Sequence, residues 1–118
     1  MTIFGYGEQS RDFTYVDNVV QANLLAVDAP EVSGRVFNVA YGVKVTLNEL
    51  VTELQELIGT EVETIHAPRR PGDVPHSLAS LERARAELGY EPQVDLREGL
   101  TRTIKYYREQ RAVGALPI

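Results

Sequence analysis

Apolar positions along the chain change period several times, and each change marks an element. The opening TIFGYGEQSRDF starts with β-favouring residues and then runs into glycines, which predicts a brief strand and a loop. From Val16 the spacing becomes helical: Val16, Val19, Val20, Leu24 and Val27 recur every three or four residues until Pro30, and they predict a helix with that face against a core. Arg35 to Ala40, RVFNVA, is short, β-branched and aromatic and reads as a buried strand, closed by Gly42. Thr46 with Glu49 has capping-box spacing, and Leu47, Leu50, Val51, Leu54, Leu57 and Ile58 then define one side of a strong helix ending at Gly59. Val62 to His66 predicts another strand. APRRPGD, with two prolines and a glycine, predicts a loop. Ser80 is placed to cap a short helix ending near Gly89. Asp95 and Glu98 repeat the capping-box spacing before a last helix, with a buried stripe of Leu96, Leu100, Ile104 and Tyr107 and a frayed end after Gln110.

The elements sum to a mixed α/β chain with short strands and about four helices. Its 118 residues suit one domain, taken as 1–110, followed by a flexible tail at 111–118. The sequence is 43% hydrophobic and 25% charged, which is ordinary globular composition, and no apolar run approaches the roughly 20 residues that span a bilayer. The N-terminus lacks a basic stretch followed by an apolar one, so a cleaved leader is not indicated and a cytoplasmic location is the default.

Charge and residue chemistry narrow the function further. A formal net charge of −5 disfavours a nucleic-acid partner. Cysteine is absent, which removes disulfides, thiolate metal sites and cysteine nucleophiles together. The two histidines, His66 and His76, lack the spacing of paired ligands on one helical face, so no metal site is expected. Gly5-Tyr6-Gly7 resembles the start of a dinucleotide turn, but Glu8, Gln9 and Ser10 follow, and no glycine opens a helix to receive a pyrophosphate.

Four segments occur in a fixed order: FGYGEQSRDFTYVDNV, GRVFNVAYGVKVTLNEL, APRRPGDVPHSLAS and ARAELGYEP. Together, over about residues 2 to 107, they resemble the C-terminal third of extended short-chain dehydrogenase/reductases that act on sugar nucleotides. The RPGDVPHS form looks most like UDP-glucose and UDP-N-acetylglucosamine 4-epimerases, whereas 4,6-dehydratases tend to carry histidine where Asp73 stands. The resemblance implies a small substrate-binding lobe that lacks a Rossmann domain. In the complete enzyme, NAD lies on that other domain, where a tyrosine four residues before a lysine takes the proton from the sugar hydroxyl. Here the only lysines are Lys44 and Lys105, preceded four positions earlier by Ala40 and Thr101. The lobe alone is therefore expected neither to bind NAD nor to turn over substrate.

The resemblance also assigns site residues. Arg11 matches the arginine that contacts the diphosphate; the competing role is an ion pair with a neighbour such as Asp12. Arg70 and Asp73 match the loop positions where an arginine reaches phosphate and an acid accepts a ribose or nearby hydroxyl; the competing role is a surface turn held by its own charges. Guanidinium groups suit phosphates because they form planar, charge-assisted hydrogen bonds. Arg69 enriches the local positive field. Thr2 and Phe4 match the segment whose backbone pairs with the uracil edge; the competing role for Phe4 is a core residue. Thr46 is read as a cap, Asn38 as a buried polar residue needing partners, and both histidines as structural or solvated.

Two accounts follow. In the first the chain is the UDP-sugar-binding part of an epimerase, excised, started internally or left as a remnant, since longer relatives continue upstream of TIFG. In the second it is a stand-alone binding or assembly module that kept the fold and lost the reaction. Either way, apolar surface left bare where a Rossmann half would pack is expected to drive self-association.

Overall fold

The computed structural model describes residues 1–114. Eight elements follow in order: β1 (Thr2–Phe4), β2 (Ser10–Arg11), α1 (Val16–Asp28), β3 (Val45–Thr46), α2 (Leu47–Ile58), β4 (Ile65–Ala67), α3 (Glu82–Leu88) and α4 (Leu96–Ala112). Strands β1 and β4 pair in parallel, with Thr2 opposite Ile65 and Phe4 opposite Ala67. Strands β2 and β3 pair antiparallel, with Ser10 opposite Thr46 and Arg11 opposite Val45. The four expected helices form, and the sheets are two small two-stranded pairs.

Helix boundaries follow local chemistry. At α2 the Thr46 hydroxyl accepts from the Glu49 amide at 3.1 Å and the Glu49 carboxylate accepts from the Thr46 amide at 2.7 Å, so two orphan N–H groups are satisfied reciprocally. These bonds to Thr46, backbone first and hydroxyl second, hold the exposed Glu49 carboxyl below its ordinary pKa. Gly59 ends the helix at φ 76°, a left-handed conformation that costs a Cβ-bearing residue energy. At α4 only half of the expected box forms. Asp95 accepts from the Glu98 amide at 2.8 Å, but the Glu98 side chain turns to Arg102 instead. Ser80 is not the N-cap of α3; Leu81 is, and the Ser80 hydroxyl lies 3.5 Å from the Glu82 amide.

The core lies between α1 and α3, where Ala22, Ala40, Leu81, Ala84, Leu88 and Tyr90 are buried. Tyr90 is fully enclosed and donates from its hydroxyl to the Ala40 carbonyl at 2.8 Å. Burial, with the nearby Asp12 charge, pushes its phenol pKa up.

Helix α1 meets this core with the opposite face from the one its valines predict. Asn18 and Ala22 are buried, whereas Val16, Val20, Leu24 and Val27 are 60%, 50%, 64% and 80% exposed. Asn18 explains the orientation: its amide donates to the Val94 carbonyl at 2.7 Å and accepts from the Gln93 and Val94 amides at 2.9 and 3.0 Å. A side chain that closes three backbone groups fixes which face points inward, and small alanines let α3 approach there.

Three other expectations change. Arg35 to Ala40 forms no strand among the described residues; its burial alternates, but no neighbouring strand supplies ladder bonds, and Asn38 is exposed rather than buried. The strand expected at Val62 to His66 forms as Ile65–Ala67, where β1 offers a partner. On α4, Leu96, Leu100 and Ile104 are half-buried but Tyr107 is 54% exposed, and the helix continues past Gln110 to Ala112. Of the expected tail, 115–118 lies outside the described residues.

Candidate functional site

One loop, residues 68–77, gathers the residues expected at a ligand site. It leaves β4, passes over the end of β1 and returns beside β2. Its two arginines and Asp73 are exposed.

Arg11 and Asp73 meet, 62 residues apart in sequence. The Arg11 guanidinium donates to Asp73 Oδ1 at 2.8 Å through Nη2, while Nη1 donates to the Ser10 carbonyl at 2.8 Å and to the Pro75 carbonyl at 3.4 Å. The Arg11 partner is thus Asp73 and not Asp12. Asp12 instead accepts from the Tyr41 and Gly42 amides at 3.0 to 3.1 Å, tying the 41–42 turn to the strand end. That role was not visible in the sequence, because an RDF segment carries no sign of which distant amides its acid will cap.

Arg70 and Phe4 also meet. The guanidinium carbon lies 3.7 Å from the centre of the Phe4 ring, a cation–π stack on a half-buried ring. Phe4 is therefore neither a pure core residue nor only a backbone position. Thr2, at the far end of β1, is exposed and stands opposite Ile65, away from the arginines. In the parallel ladder the Met1 carbonyl and Gly5 amide bond β4, so Thr2 and Phe4 direct their backbone groups to the other edge. The Phe4 carbonyl on that edge already accepts from the Gln9 side chain at 2.6 Å.

The loop between β1 and β2 is shaped by Gly7. Its φ is 77°, and a Cβ there would overlap the Asn48 amide, whose Nδ2 donates to the Tyr6 carbonyl at 3.0 Å. Tyr6, Glu8 and Gln9 with Arg69, Pro75 and His76 line a concavity of about 280 Å³ beside the Arg11–Asp73 pair. His76 Nδ1 lies 2.9 Å from the buried Ser10 hydroxyl, and His66 Nδ1 lies 2.8 Å from the Gly5 carbonyl. Neither contact was foreseen, since each joins residues more than sixty positions apart.

The Gly5–Gly7 turn leads into β2 rather than into a helix, unlike the glycine-rich turn of a dinucleotide-binding unit.

The four helices and two small strand pairs match about a third of a chain of the NAD-dependent epimerase/dehydratase class, with the extended short-chain dehydrogenase/reductase fold. More particularly, the chain belongs to the family described as GDP-mannose 4,6 dehydratase, whose model matches residues 1–103. It is 39% identical over 108 residues to a UDP-glucose 4-epimerase of Mycolicibacterium smegmatis, covering 92% of this chain and 34% of that protein. It superposes on the UDP-glucose 4-epimerase of Thermotoga maritima with UDP-glucose at TM-score 0.87 and 42% identity, covering 94% of this chain and 35% of that one. A UDP-glucuronic acid 4-epimerase from Bacillus cereus, in complex with UDP-glucuronic acid and NAD, gives TM-score 0.85 at 28% identity, covering 92% and 35%. The chain spans about a third of the length of the curated relatives it matches. Among the described residues no helix is long and apolar enough to cross a membrane.

Proposed function

We propose that residues 1–110 are the nucleotide-sugar-binding lobe of a UDP-sugar 4-epimerase acting in the cytoplasm, with 111–118 as a tail outside it. The observation that carries this reading is that the 68–77 loop meets both strands: its Asp73 pairs with Arg11 of β2, and its Arg70 stacks on Phe4 of β1. Two guanidinium groups held in place, Arg11 on β2 and Arg70 on the exposed loop, are complementary to a diphosphate, which each binds through charge-assisted hydrogen bonds. Asp73 orients Arg11 and accepts a ribose hydroxyl. The outer edge of β1 offers the Thr2 backbone groups and the Phe4 amide to a base, the Phe4 carbonyl being held by Gln9. The preference for a 4-epimerase over a 4,6-dehydratase rests on the relatives, which are UDP-sugar epimerases, although the family model carries a dehydratase's name.

In this reading NAD and the hydride chemistry belong to a Rossmann half. No step is assigned to the present residues, and the chain alone does not epimerise. Two features support a partner for the lobe. The radius of gyration is 17.2 Å, against about 13.5 Å for a compact domain of this length. The valine face of α1 is bare. In isolation that face drives self-association.

Calorimetric titration with UDP, and with uridine as the phosphate-free control, tests the reading. Saturable UDP binding at least about tenfold tighter than uridine is expected, because charged hydrogen bonds each contribute about 1.5 to 3 kcal/mol. Equal affinity for the two would refute the diphosphate role, no binding would leave the assembly-module account, and turnover of UDP-glucose by this chain would refute its dependence on a second half.

A further inference from the structure

Resting on the UDP-binding reading above, we infer that His76 is a positioning residue that holds the Arg70–Asp73 arm in register with Arg11 through its bond to Ser10. Ser10 is 3% exposed, and all three of its hydrogen-bonding groups are spent on the segment that contains His76. Its amide donates to the Pro75 carbonyl at 2.9 Å, its carbonyl accepts from the Ser77 amide at 3.1 Å, and its hydroxyl meets His76 Nδ1 at 2.9 Å. Residues 75–77 therefore pair with Ser10 through an isolated parallel bridge at His76.

The next residue, Arg11, spans the same junction. Its guanidinium reaches Asp73 and the Pro75 carbonyl while also bonding the Ser10 carbonyl. The geometry of the proposed phosphate pair is thus set by the register between β2 and residues 73–77. The surrounding loop cannot set it alone, since Pro68, Pro71 and Pro75 lack amide donors and residues 70–78 are exposed. The Ser10–His76 bond is the side-chain contact with a buried end in this junction, and solvent competes with it less than with the exposed Arg11–Asp73 pair. With β2 held against β3, a slip of one residue in this segment would turn its side chains to the opposite face and separate Asp73 from Arg11.

The test is calorimetric UDP titration of the unsubstituted chain, of His76→Ala, His76→Asn, His76→Gln and Arg11→Ala, and of the Arg11→Ala, His76→Ala double variant, with a thermal melt of each. His76→Ala is expected to weaken UDP about tenfold while the chain stays folded at the titration temperature. His76→Asn, whose amide reaches the place of Nδ1, restores affinity to within about twofold, and His76→Gln, whose amide reaches the place of Nε2, does not. In the Arg11→Ala background His76→Ala adds less than about twofold, because both act on one contact. Should His76→Ala fail to fold, Ser10→Ala removes the same bond without leaving a buried hydroxyl and carries the same expectation. Unchanged UDP affinity, or an additive loss in the Arg11→Ala background, overturns this inference alone. Absence of UDP binding by the unsubstituted chain overturns the parent reading and this one with it.

Discussion

Replacing Asn18 with alanine probes the contact that decides how α1 faces the core. The substitution removes the donor to the Val94 carbonyl and the acceptor for the Gln93 and Val94 amides. Gln93 is exposed and water can replace its lost partner, but Val94 is 7% exposed, so both of its backbone groups are left buried and unpaired. Each such orphan costs about 1 to 3 kcal/mol, and the two together should cost about 2 to 6 kcal/mol, a large share of a typical domain's stability. At about 4 °C per kcal/mol for a chain of this length, the melting midpoint falls by about 8 to 24 °C. The assay is the helical circular dichroism signal against temperature in dilute solution, because association makes the midpoint concentration-dependent. Asn23→Ala is the control: that residue is on the same helix, exposed, and bonds only the Val19 carbonyl one turn back, so its removal should shift the midpoint by no more than about 2 °C. A fall of less than about 3 °C for Asn18→Ala, or equal shifts for the two variants, would refute the reasoning.

Within a complete enzyme, Arg11→Ala should raise the KM for the nucleotide sugar about tenfold with little change in kcat, the lower end of a charged hydrogen bond's range because Asp73 already shares the guanidinium; collapsed kcat at unchanged KM would show a different role. Arg70→Ala should act in the same sense and also uncover the Phe4 ring, which difference absorbance can follow. The folded-state pKa of Glu49 is depressed, so its stabilisation is present above the ordinary glutamate range and is lost as pH falls through the folded value. The gap in melting midpoint between the parent chain and Glu49→Gln should accordingly narrow between about pH 7 and about pH 3, and a gap that widens on acidification would contradict the capping assignment. Finally, light scattering should detect a dimer or larger assembly at high concentration, and Val20→Glu with Leu24→Lys on the bare face of α1 should abolish it; a strict monomer in the parent chain would count against an association surface there.

The features legible in the sequence are those whose causes lie within about four residues. Thr46 and Glu49 satisfy each other across one helical turn, and Gly59 and Gly89 supply the left-handed residue at the ends of α2 and α3, so the spacing was enough to place them. The site residues were legible in a different way, through resemblance: Arg11, Arg70 and Asp73 stand out as motif positions, but nothing in their spacing says which contacts each makes. Tertiary structure decided the rest. The apolar period of α1 marks a helix, yet the buried side belongs to Asn18 and Ala22, because periodicity reports an amphipathic face and not the partner it meets. Strands β2 and β3 have two residues each, too short for any alternation to register, and they pair residues 34 and 36 positions apart. The converse holds at Arg35 to Ala40, where the alternation is present but a ladder requires a neighbouring strand. The pairs that define the candidate site, Arg11 with Asp73 and Arg70 with Phe4, join residues more than sixty positions apart. They exist because the parallel pairing of β1 with β4 brings the 68–77 loop over both strands, and long-range contacts of that kind are fixed only when the chain closes on itself.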